Sequence, residues 1–146
     1  MAVKPVPEGY HTVTPSLTVD NASAVAEFIQ NTFNAQETER IPMPDGKIAH
    51  TEFIIGDSRV MLGDSTPQNP AMPGSLYVYV ENCDEVYRRA IQAGGTPIME
   101  PADQFWGDRM GAVRDPGGDH WSIATQVEEV SADEAMRRMM QMAPSS

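Results

Sequence analysis

The sequence predicts an α+β fold: two βαβββ modules followed by a short C-terminal helix. Three observations predict it. Residues 14–25 (TPSLTVDNASAV) and 75–86 (SLYVYVENCDEV) align at a shift of 61, which sets Val19-Asp20-Asn21 on Val80-Glu81-Asn82 and Val25 on Val86. In each copy a strand pattern ends at an acidic–Asn pair and a helix pattern follows. Three further strand patterns, separated by turn residues, then complete each copy.

In the first copy, Thr12 to Val19 alternates polar and apolar residues with period two, the mark of a strand with one packed face. Asp20 or Asn21 can cap a helix over about 22–34, whose apolar stripe is Val25, Phe28, Ile29 and Phe33. Strands follow at about 37–43, 48–55 and 59–63, divided by the turns Pro44-Asp45-Gly46 and Gly56-Asp57.

The Pro-rich stretch 65–74 (STPQNPAMPG) reads as a linker. The second copy runs through a strand at 75–81, a helix at about 83–93 closed by Gly94-Gly95, and strands near 96–100, 108–114 and 120–126. Asp115-Pro116-Gly117-Gly118 is the turn between the last two. Ser131-Ala132-Asp133-Glu134 opens a helix over about 131–142 with a capping-box signature, with Met136, Met139 and Met140 on one face. That stripe reads as packing surface, with a lid over a pocket as the alternative. The chain is thus one domain, 1–146: a first module at about 10–64, a linker at 65–74, a second module at 75–127, and the terminal helix.

The totals exclude several classes. A chain of 146 residues can bury one sizeable core. A net charge of -11 with no basic cluster argues against nucleic acid. No apolar run approaches the roughly 20 residues that span a bilayer. Cys83 is the only cysteine, so neither an intrachain disulfide nor a cysteine zinc cluster can form. The opening MAVKPVPEGYH lacks the apolar run of a secretory signal, and the expected location is the cytoplasm.

Several stretches together carry a family resemblance: Tyr10–Val19, MPDGKIAH (43–50), IGDS (55–58), PADQFWGDR (101–109) and DPGGDHWS (115–122). Over about residues 8–127 the chain resembles the vicinal oxygen chelate superfamily of glyoxalase I, bleomycin-resistance proteins and extradiol dioxygenases, and within it the PhnB-like branch. That branch usually reads Asp-Pro-Phe-Gly-His-x-Trp where this chain has Gly117 for the aromatic and Asp119 before His120. The resemblance implies curled, mixed or antiparallel sheets around a cavity, and a homodimer. It also implies four metal-ligand positions in the metal-dependent members, which fall at Thr14, about Leu62, Ser75 and Ser122. None of these is His or Glu, so the four-ligand glyoxalase site is not expected. The neighbours Val13, Pro15, Met61, Gly63, Trp121 and Ile123 supply no better ligands.

Alternation sorts the side chains between faces. Val13, Leu17 and Val19 should meet the first helix, leaving Thr12, Thr14, Ser16 and Thr18 on the concave side. Leu76, Val78 and Val80 should meet the second, leaving Ser75, Tyr77 and Tyr79 concave. On the last strand Trp121 and Ile123 point to the helices, while His120, Ser122 and Ala124 look inward. Thr14, Ser75, Tyr77, Tyr79, Trp106, Arg109 and Ser122 are therefore the candidate ligand-binding residues. Arg109 could clamp an anionic group or simply pair with Asp108 or Asp115.

His50 and Glu52 share one strand face and are the candidate catalytic pair, with His120 as a third candidate. With His11 or His120 they would make a non-standard divalent-metal site; as a plain hydrogen-bonded pair they would do no chemistry. Two functional expectations follow. The first is a metal-free binding protein, with no cofactor, that sequesters a planar or polar organic molecule as bleomycin-resistance proteins do. The second is a lyase or isomerase that removes a proton next to a carbonyl.

Overall fold

The computed structural model describes residues 2–142. The elements are β1 (Ser16–Val19), α1 (Ala22–Phe33), β2 (Gln36–Pro42), β3 (Ile48–Ile55), β4 (Ser58–Asp64), β5 (Ser75–Tyr79), α2 (Cys83–Gln92), β6 (Thr96–Asp103), β7 (Asp108–Arg114), β8 (His120–Gln126) and α3 (Ala132–Met142). Two four-stranded sheets result, ordered β1-β4-β3-β2 and β5-β8-β7-β6. In each the first strand lies parallel to the last and the remaining pairs are antiparallel. Neither sheet closes on itself, which leaves β1 and β2 as the edges of the first and β5 and β6 as those of the second. The predicted βαβββ order holds in both copies.

The repeat extends to the hydrogen bonds. Ala22 and Cys83, the first residues of α1 and α2, are 61 positions apart. The Ala22 N–H donates to Asp64 Oδ1 at 3.0 Å and the Cys83 N–H to Thr125 Oγ1 at 3.0 Å. Asp64 and Thr125 are themselves 61 apart, each on the last strand of its module. A helix leaves its first N–H groups without internal partners, and in each copy the same strand position satisfies one of them. Asn82 also caps α2 through the Glu85 N–H at 3.2 Å, whereas Asn21 caps α1 with no side-chain bond.

One core serves both modules. Leu17, Val19, Val25, Phe28 and Ile29 join Trp121, Ile123, Val113 and Ala90 in a single buried cluster. The Trp121 ring is fully buried, 6.1 Å from Phe28 and 5.1 Å from Phe33, so a second-module strand is clasped by the first module's helix. The 115–119 turn packs there as well. A Cβ at Gly117 would stand 2.7 Å from Val25 Cγ2 and 2.9 Å from Val19 Cβ, which explains why glycine replaces the aromatic expected there. The linker is pinned by the Thr18–Met72 bridge and by the Gly74 N–H, which donates to Asp119 Oδ1 at 2.7 Å.

Two boundaries differ from expectation. The first strand begins at Ser16 rather than Thr12, because β4 offers its first partner at Met61. Val13, expected to face the helix, is 81% exposed. The second strand of the second module continues past 100 to Asp103 despite Pro101. It is an edge strand with register shifts on either side of Met99, where a missing N–H is tolerated.

Candidate functional site

The concave face of the second sheet gathers most of the candidates. Register sets Ser75 beside His120, Tyr77 beside Ser122 and Tyr79 beside Ala124. Ala112 and Met110 continue the rows on β7. The same alternation brings Asp108, the first residue of β7, onto this face.

Asp108 is 3% exposed, and three aromatic donors converge on its Oδ2. Tyr77 Oη donates at 2.6 Å, Tyr79 Oη at 2.9 Å and Trp106 Nε1 at 3.1 Å. Trp106 Nε1 also lies 3.1 Å from Tyr77 Oη. The two tyrosine rings lie 5.4 Å apart at 57°. Burial, and then the hydrogen bond to Asp108, push the Tyr77 phenol up to about 12, so it remains a neutral donor across the physiological range. Among the described residues no cationic side chain pairs with Asp108.

Backbone geometry places Trp106 over this carboxyl. Gly107 has φ 102°, in the left-handed region, and a Cβ there would stand 2.5 Å from the Glu128 carbonyl oxygen. The Val127 and Glu128 N–H groups both donate to the Gly107 carbonyl, tying the 104–107 loop to the segment that leads into α3. Arg138 of α3 adds bonds to Glu128 at 2.6 Å and to the Phe105 carbonyl at 3.3 Å. All four α3 methionines, Met136, Met139, Met140 and Met142, are exposed.

Arg109 points the other way. Its Nε donates to both Asp84 carboxylate oxygens at 3.1 Å and its Nη1 to Asp103 at 3.3 Å. The ion pair weighed against ligand clamping therefore exists, with Asp84 and Asp103 in place of Asp108 and Asp115. Asp115 instead organises the turn, accepting from the Gly117 and Asp119 N–H groups and from Trp121 Nε1. Asp119 is fully buried, and its Oδ2 has no partner. Burial, then the adjacent Asp115 carboxyl, push Asp119 up to about 7.

On the first sheet, His50 Nε2 lies 2.7 Å from Glu52 Oε2, with Glu52 6% exposed. Glu52 sits beside Met61 and Glu39, and His50 beside Ile41. His120 belongs to the other sheet, where its Nε2 is buried without a partner. Among the described residues no three His, Cys, Asp or Glu side chains converge on a common metal position.

The family ligand positions need one correction. Leu62 is 1% exposed and packs in the core opposite Leu17, so it does not face the concave side. The repeat makes Met61 the counterpart of Ser122, and Met61 is the residue beside Glu52 on the open face. Thr14 is half-buried ahead of β1 rather than in it. A thioether and three hydroxyls at Met61, Thr14, Ser75 and Ser122 do not fit a hard divalent cation.

Asp108 was not among the sequence candidates, because its neighbour Arg109 suggested a local ion pair. The usable signal was its two-residue spacing from Trp106 and from Met110 across the strand's start.

Comparison with known proteins agrees with this architecture. Residues 10–123 match the model of the glyoxalase/bleomycin resistance protein/dioxygenase superfamily. Uncharacterized proteins of Mycobacterium bovis and Mycobacterium tuberculosis are 38% identical over 138 residues, covering 87% of this chain and 91% and 81% of theirs. Among solved structures, TioX from Micromonospora has a TM-score of 0.67 at 21% identity, covering 80% of this chain and 98% of its own. A PhnB protein from Bacillus cereus has a TM-score of 0.64 at 20% identity, covering 79% of this chain and 99% of its own. No helix among the described residues is long and apolar enough to cross a membrane. The repeated βαβββ order and the family match together place this chain in the glyoxalase/bleomycin resistance protein/dioxygenase superfamily.

Proposed function

We propose that this protein binds a flat, polar organic molecule on the concave face of its second sheet, without a metal ion. The observation that carries the proposal is the convergence of Tyr77, Tyr79 and Trp106 on the buried Asp108 carboxyl. Those bonds fix three aromatic rings before any ligand arrives, which lowers the ordering cost of binding. Tyr77 and Tyr79 remain 43% and 64% exposed, so their ring faces are open to a planar partner. Ser75 and Ser122 add hydroxyls along the same rows.

A homodimer suits this arrangement. Pairing the open face of one copy's first sheet with the second sheet of another would turn two shallow faces into enclosed cavities. Sequestration needs affinity alone, as the bleomycin-resistance proteins of this superfamily suggest.

The test is a thermal-shift screen of aromatic antibiotics and small oxo-acids against the parent protein and the Asp108→Asn and Tyr77→Phe variants. A ligand that stabilises the parent, and the variants at least tenfold more weakly, supports the proposal. Equal stabilisation of all three places the ligand elsewhere and refutes it.

The 2.7 Å His50–Glu52 contact favours a second function, proton removal next to a carbonyl. It predicts solvent-deuterium exchange at the α-position of a small oxo-acid, lost in Glu52→Gln. A binding protein shows no such exchange.

A further inference from the structure

A cavity of about 610 Å³ lies between the modules along β5, whose residues Leu76 to Tyr79, with Val80 just beyond, all border it, while Asp108 does not line it. Its apolar wall comes from both copies: Phe33, Ile55 and Val60 from the first, Leu76, Val78 and Trp121 from the second. Such a volume holds a compact organic molecule.

The repeat explains why the space exists. Leu17 and Val19 correspond to Val78 and Val80. The first pair is 5% and 0% exposed, whereas the second pair is only half-buried. The covering helices differ at corresponding positions: α1 carries Phe28 and Ile29 where α2 carries Arg89 and Ala90. Arg89 turns along its own helix to Glu85 at 3.0 Å, and Ala90 is too short to reach the strand fully. The second copy therefore leaves open a volume that the first fills with side chains.

The rim is acidic. Asp57, Glu81 and Glu85 stand around the mouth against Arg89 alone, which Glu85 already holds. We infer that this inter-module cavity is a second ligand site, taking a small organic cation with an aromatic body against Phe33, Leu76 and Val78, beside the buried Trp121, and its charge at Asp57 and Glu81. An apolar floor drives burial of the rings, and the rim charge selects the sign.

The experiment compares N-methylacridinium with acridine-9-carboxylate, two molecules of one ring system and opposite charge, by titration calorimetry. The Trp121 indole N–H signal provides a local NMR readout, assigned by its persistence in Trp106→Phe. The cation should bind and shift that signal, and the anion should bind at least tenfold more weakly. Asp57→Asn with Glu81→Gln, both at the surface, should weaken the cation roughly fivefold, the scale of two partly screened ion pairs. Val78→Phe should fill the cavity and abolish binding. Asp108→Asn, which tests the concave face, should leave the Trp121 response intact, so this site and the proposed function fail separately. Equal affinity for both ions, no Trp121 response, or a response lost only in Asp108→Asn would overturn the assignment. Loss of binding as the protein concentration rises would also do so, since a second copy would then occupy the cavity.

Discussion

Asp64 and Thr125 occupy corresponding places in the two modules, and each accepts the first backbone N–H of its own helix at 3.0 Å. Each makes a second bond, Asp64 Oδ2 accepting the Ile48 N–H at 2.7 Å and Thr125 Oγ1 donating to the Val80 carbonyl at 2.8 Å, but Asp64 brings an ionised acceptor, whose hydrogen bonds are the stronger. Removing the side chain should therefore cost more in the first module. Thr125→Ala should lose about 1 kcal/mol and Asp64→Ala about 2 kcal/mol, read from urea unfolding. An equal or reversed order would show that the cap bonds do not carry the effect.

Gly117→Ala tests how tightly the second module's turn is set on the first. A methyl group 2.7 Å from Val25 Cγ2 must displace core atoms, at a cost of about 1–3 kcal/mol. Val25→Ala destabilises by itself, yet the double variant should be more stable than the sum of the two single effects. Additive losses would mean that the turn relaxes elsewhere.

Asp119 gives the fold a pH dependence of unusual sign. Its folded value lies near 7, above that of an ordinary carboxyl, so between about pH 4 and 7 the folded state holds a proton that the unfolded chain has released. Stability from this group is full below the unfolded value and is lost as pH rises towards 7. Asp119→Asn should flatten that decline and raise stability at pH 8 by at least about 1 kcal/mol. Thermal midpoints at pH 5 and 8 check it, and a parent-like slope in the variant would assign the dependence to another group.

Metal analysis separates the two functional readings. After dialysis against Ni, Zn, Mn or Fe(II), the protein should retain well under one equivalent, because hydroxyls and a thioether stand at the family ligand positions. Stoichiometric metal, lost in Glu52→Gln, would turn the interpretation towards catalysis at His50 and Glu52.

Much of this was legible from alternation. The rows Ser75–His120 and Tyr77–Ser122, the core position of Trp121 and the Asp115–Gly118 turn all follow from side-chain period and turn chemistry. Alternation failed where pairing, rather than pattern, sets the strand. Thr12–Thr14 has the pattern but no partner strand, and Leu62 was off by one because the parallel register of β1 and β4 cannot be read locally. Asp108 escaped because its three partners come from a distant strand and a loop, Tyr77 and Tyr79 being about thirty residues away in sequence. The cavity beneath β5 became visible only when corresponding positions of the two helices were compared.

The clasp of Trp121 by Phe28 and Phe33 ties the halves of a duplicated chain into one cooperative unit. A solitary module of this design would leave its helix-side aromatics in water and would need a twin to cover them. Joining two copies in tandem makes that association intramolecular, independent of concentration. The second copy is then free to lose the bulk that the first retains, and the two helices have diverged at those positions.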